Sequence, residues 1–136
     1  MTSTTVNASR ALDHIYKIAT LDAADCETHR DQFIGRLQSD FENAMRWSTE
    51  AFKYAARWHA AHQLQAMIKN DRKSQQHTDD EILEELEKTL EQNMLQYAAN
   101  PSFSTSPTSN LNDVFHLKAW THYHKVLQNC KHSSNN

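Results

Sequence analysis

Apolar residues return every three or four positions along most of this chain, the period of one helical face. Leu12, Ile15, Ile18 and Ala19 form the first such stripe, with Asn7 or Ser9 as its N-cap. Residues 1–7 are polar and read as disordered. Leu21 to Glu27 reads as a break, with Asp22 or Asp25 placed to cap the next helix. From Thr28 to Asn70 there is no proline and one glycine, so the pattern predicts a long central helix. It carries two apolar rows. Phe33, Leu37, Phe41, Met45 and Phe52 form one; Trp47, Ala51, Tyr54, Trp58, Ala61 and Ile68 form the other. A helix with two rows is covered from two sides, as at the centre of a bundle or between subunits. Gly35 or Ser39 marks a kink.

After a polar connector, Thr78-Asp79-Asp80-Glu81 spells a capping box, in which Thr and Glu satisfy each other's backbone N–H groups. The helix it opens carries Ile82, Leu83, Leu86, Leu90, Met94 and Tyr97, and Asn100-Pro101 stops it. NPSFSTSPTSN (100–110) reads as a loop. A last helix over Leu111 to Cys130 carries Val114, Phe115, Leu117, Trp120, Tyr123, Val126 and Leu127, and residues 131–136 read as a disordered tail. No stretch has the period-2 alternation of a half-buried strand. The expected fold is an all-α helical bundle of about four helices, one domain over residues 8–130.

Composition sharpens this picture. The 136 residues include one glycine and two prolines, which leaves little material for tight turns and favours long helices. It also argues against glycine-rich phosphate loops and dinucleotide fingerprints. A net charge of −3 gives no sign of a nucleic-acid partner. No stretch approaches the roughly 20 apolar residues of a membrane span, and MTSTTVNASRALDHIYK has no apolar leader core. Cys26 and Cys130 lie far apart without metal-type spacing, which fits reduced thiols and a cytoplasmic protein. A secreted effector with an unrecognised export signal would carry the same pattern.

Candidate chemistry is sparse. Arg57-x4-His62 on a helix resembles the signature of HEPN-type RNases, helical bundles that dimerise and cleave RNA without metal through paired Arg and His side chains. The resemblance covers these two residues and the all-α class, and implies Arg57 and His62 as catalytic residues. A second match, Arg72 to His77, falls in the connector. His59 and His62 are three apart and share a helical face, so they form the candidate metal or haem pair. Di-metal bundles need two E-x-x-H motifs, and the chain offers only Asp113-Val-Phe-His116. His122 and His124 fall on different sides of their helix. Cys26 has no local context that would activate it as a nucleophile. No cofactor is expected.

Charge layout points elsewhere. Residues 79–91 hold seven acids, among them Glu84, Glu87 and Glu91, against one base, Lys88. Arg46, Lys53 and Arg57 form a basic stripe on the long helix. The acidic helix is expected to dock on that stripe within one chain or across a subunit boundary. Trp47, Phe52, Tyr54 and Trp58 exceed what one face of so small a bundle needs, and such aromatics are typical interface anchors. The leading expectation is a non-enzymatic protein–protein interaction module of adaptor, regulator, chaperone or effector type, with a protein partner and a tendency to form homodimers.

Overall fold

The computed structural model of the chain describes residues 3–99 and 107–134. Among them are four α-helices and no strand: α1 (Ser3–Ser39), α2 (Ala44–Ser74), α3 (Asp79–Ala99) and α4 (Pro107–Ser134). The expected all-α bundle is what forms.

The breaks fall differently from the expectation. α1 runs through 21–27 without interruption because its inner stripe does too: Ala19, Ala23 and Cys26 are all buried. The Thr28 hydroxyl donates to the Ala24 carbonyl inside this continuous helix. Asp22 caps nothing, since its carboxylate is engaged across the bundle. Gly35 does not end α1, and a side chain there would meet open space.

The chain turns at Asp40, directly after Ser39, the other expected position, and a single 3₁₀ turn follows, Phe41–Asn43. The Asp40 carboxylate accepts hydrogen bonds from Asn43 Nδ2 at 2.8 Å and Trp47 Nε1 at 3.1 Å. The Asn43 bond, then the Trp47 bond, hold its pKa below the usual range. The turn therefore needs neither Gly nor Pro. It also divides the expected long rod into two antiparallel helices, with Phe33 and Leu37 on α1 and Met45, Phe52 and the whole second row on α2. Phe33 of α1 stacks on Trp47 and Tyr54 of α2, so the start of the first row faces the second row across the hairpin.

The capping box forms as expected. Thr78 N–H donates to Glu81 Oε1 at 2.8 Å, and Glu81 N–H donates to Thr78 Oγ1 at 3.2 Å. At the end of α2, Gln75 takes the left-handed cap conformation, φ 57°, and donates its N–H to the Arg72 carbonyl. Arg72 ties three helices together. It bonds the Asp13 carboxylate and the Ser9 carbonyl of α1 and lies 3.5 Å from Asp79 of α3.

Several terminal expectations change. Residues 3–7, read as disordered, belong to α1, and residues 1–2 lie outside the described residues. The expected loop 100–110 lies outside them over 100–106, while 107–110 open α4 with Pro107 at the position where its fixed φ suits a helix start. Of the expected tail, 131–134 continue α4 and 135–136 lie outside.

The core runs the length of the four-helix section. Leu12, Ile15, Leu64, Ile68, Leu86, Leu90, Trp120, Tyr123 and Leu127 are fully enclosed. Alanines at 11, 19, 60, 61 and 119 fill the seams between them. No described helix is long and apolar enough to cross a membrane.

Candidate functional site

The structure gathers one polar cluster that no local motif announces. Asp22 of α1, Arg57 of α2, and His122 and Tyr123 of α4 meet where these helices pack. Asp22 accepts a 3.0 Å hydrogen bond from the Tyr123 hydroxyl. An Arg57 guanidinium nitrogen, Nη2, stands 3.7 Å from the same Asp22 oxygen and donates to His122 Nε2 at 3.1 Å. His122 Nε2 is itself 3.8 Å from Asp22. Arg57 Nε is buried without a protein acceptor.

The electrostatics follow from burial. Tyr123 is fully enclosed, and desolvation pushes its pKa far above the ordinary value of 10, with Asp22's charge pushing the same way. Burial lowers the His122 pKa, Arg57 lowers it further, and Asp22 pulls against both. A neutral imidazole accepting from Arg57 at Nε2 carries its proton on Nδ1. Burial raises the Cys26 thiol. The cluster thus holds a protonated phenol, a neutral imidazole and a protonated thiol. It offers donors and a fixed cation rather than an activated nucleophile, and Cys26 is inert on the same ground.

Tyr123 gives a test of this assignment. Above about pH 10 an unfolded tyrosine loses its proton while Tyr123 keeps it, so the native state binds more protons and stability falls as pH rises. The fall reaches about 1.4 kcal/mol per pH unit. Urea midpoints at about pH 9 and 11 should therefore converge between wild type and Tyr123→Phe as the pH rises. A constant gap would show that Tyr123 titrates normally.

The residues named from sequence are dispersed. Arg57 and His62 are not brought together: five helical residues turn through about 140°. Arg57 faces Asp22 and His122, whereas His62 is exposed and packs edge-on against Trp58 at 4.3 Å. His59 accepts from Gln63 Nε2 and meets the ring of His116, which stacks on Tyr97. Among the described residues no three His, Cys, Asp or Glu side chains are grouped to hold a metal. His122 and His124 diverge as expected, His124 turning to Glu91 at 3.4 Å.

The acidic helix does not dock on the α2 stripe within the chain. Glu87 takes two bonds from Lys131 Nζ, at 2.9 and 3.0 Å, plus one from Gln128, and the Lys131 contact is the main cause of its lowered pKa. Glu84 pairs with Lys88 on its own helix.

The aromatics named as interface are largely used inside the chain. Trp47 is buried under Arg36 and Arg46 guanidinium groups. Tyr54 stacks on His29 and Phe33, and Trp58 lies under Arg30. Of the four, only Phe52 is exposed. The exposed apolar side chains of this region are Phe52 together with Ile34, Phe41 and Met45.

Two of the cluster's members carried a readable signal. Asp22 interrupts a stripe of Ala19, Ala23 and Cys26, and Tyr123 sits on the inner face of α4. Their partners lie 35 to 101 positions away in sequence, beyond any local pattern. No protein-family model, curated protein or solved structure matches the chain.

Proposed function

We propose that this chain is a helical interaction module that pairs with a second copy of itself through the open end of the α1–α2 hairpin. One observation carries the reading. Phe41 is 79% exposed and Met45 78%, beside half-open Ile34 and Phe52. These positions extend buried stripes. Phe52 lies four residues before buried Ala56, and Ile34 lies three turns beyond buried Ala23. The hairpin thus carries its core-facing register onward to where, among the described residues, almost nothing covers it: α1 has no buried side chain after Cys26, and α2 only Trp47 before Ala56.

Charge selects the partner. Residues 30–57 hold five bases and four acids, a near balance that lets two copies meet without net repulsion. α3, with seven acids against one base over 79–91, would repel a second copy of itself even with Glu87 paired to Lys131. A two-fold contact repeats the same patch on both subunits, so it needs this mixed pattern. Of the residues expected at the interface, Phe52, Arg46 and Lys53 stay in this patch, while the α3 glutamates do not.

Light scattering should return a mass rising above 15.8 kDa with concentration. Phe41→Asp with Met45→Asp should weaken association at least tenfold while leaving helical circular dichroism unchanged. A wild-type mass that stays at 15.8 kDa up to about 100 μM, roughly −5.5 kcal/mol, would reject the proposal.

A further inference from the structure

We infer that the cleft between α2 and α4, lined by Lys53, Arg57, Phe115, Lys118, Ala119 and His122, binds a small phosphate monoester carrying a flat apolar group. Lys53 also stands in the self-association patch, but the assignment does not rest on that reading.

The charge on the cleft is the first ground. Lys53, Arg57 and Lys118 converge on it, and among the described residues the one carboxylate that reaches any of them is Asp22, at Arg57. Lys118 and Lys53 are exposed and have no carboxylate partner among the described residues; Lys53 has only the Tyr54 ring, 5.8 Å away. Three cations against one carboxylate leave two positive charges in one place. A phosphate monoester carries about −1.5 to −2 at pH 7 and matches that sum, whereas a monocarboxylate neutralises half of it.

Positioning is the second ground. Asp22 and His122 grip the Arg57 guanidinium, so part of the entropy of organising this cation is spent on folding rather than on binding. A held guanidinium flanked by two mobile ammonium groups suits a tetrahedral anion. His122 adds a ring nitrogen at the edge. Phe115 supplies an apolar wall on which a flat group can lie, above the buried Ala119.

Size limits the ligand. The cleft measures 160 Å³, well under the roughly 300 Å³ at which ordinary ligand pockets begin. It accommodates the phosphate and one ring, and excludes larger molecules except by one end.

Isothermal titration calorimetry at pH 7 and constant ionic strength, with phenyl phosphate and inorganic phosphate as probes, tests this. Phenyl phosphate should bind more tightly than inorganic phosphate. Lys118→Gln should weaken phenyl phosphate about tenfold, equivalent to 1.4 kcal/mol. Lys69→Gln, on an exposed part of α2 outside the cleft, should change nothing. Proton NMR should show the His122 pKa rising on binding, because a nearby anion favours imidazolium against Arg57, Lys125 and desolvation. Absence of heat from phenyl phosphate, equal losses in Lys118→Gln and Lys69→Gln, or an unmoved His122 would each overturn the assignment. So would capture by phosphatidic-acid vesicles without binding of phenyl phosphate, which would give the phosphate a lipid source.

Discussion

Trp120→Ala is expected to destabilise the protein by about 3–5 kcal/mol, the range for removing a large aromatic from a packed core. The side chain is 2% exposed and belongs to the cluster formed by all four helices. Its removal deletes apolar contact on α4 and leaves a cavity in the core that the four helices share. Domains of this size have about 5–15 kcal/mol of total stability, so the loss is a large share of it. Urea unfolding followed by circular dichroism should show a midpoint far below wild type with an unchanged slope. A shift worth less than about 0.5 kcal/mol, typical of surface positions, would mean that α4 does not dock through this residue.

Asp22→Ala is expected to cost about 2–3 kcal/mol, and the larger part comes from Tyr123. That hydroxyl has its bond to Asp22 in an enclosed position, and leaving a buried donor without a partner costs about 1–3 kcal/mol. The Arg57 contribution is smaller. Its side chain is 33% exposed and stands 3.7 Å from Asp22, so water screens much of the attraction. A double-mutant cycle separates the two. Asp22→Ala combined with Tyr123→Phe should cost less than the sum of the singles by about 1 kcal/mol or more, because the pair is removed together. Strict additivity would deny the hydrogen bond. The same cycle bears on the cleft: if Asp22 holds Arg57 in place, its loss should also weaken anion binding despite removing a negative charge.

Expectation and outcome part company where one residue has two uses. Asp22 and Asp25 look like helix caps because short acidic side chains often satisfy free N–H groups at helix starts. Whether a given Asp caps or reaches across the bundle depends on what stands opposite, here Tyr123 and Arg57 from helices far along the chain. Asp40 belongs to no local motif, yet α1 ends beside it, where its carboxylate accepts hydrogen bonds from both Asn43 and Trp47. The surplus of aromatics around 47–58 was legible. Its use was not, since the covering groups, His29, Phe33, Arg30 and Arg36, sit on what pattern alone made the same rod.

Local physics set much of the architecture before any contact formed. Scarcity of Gly and Pro, a 3.6-residue apolar period and the Thr78–Glu81 capping box act over a few neighbouring residues, and they specify helices, the start of α3 and which faces of α3 and α4 turn inward. Tertiary packing decided the rest: the fold-back at Asp40, the pairing of Glu87 with Lys131, the meeting of Asp22, Arg57, His122 and Tyr123, and the apolar end left uncovered at Phe41 and Met45. Those outcomes depend on which surfaces close over which, and periodicity along one chain carries no information about the distance between two of its turns.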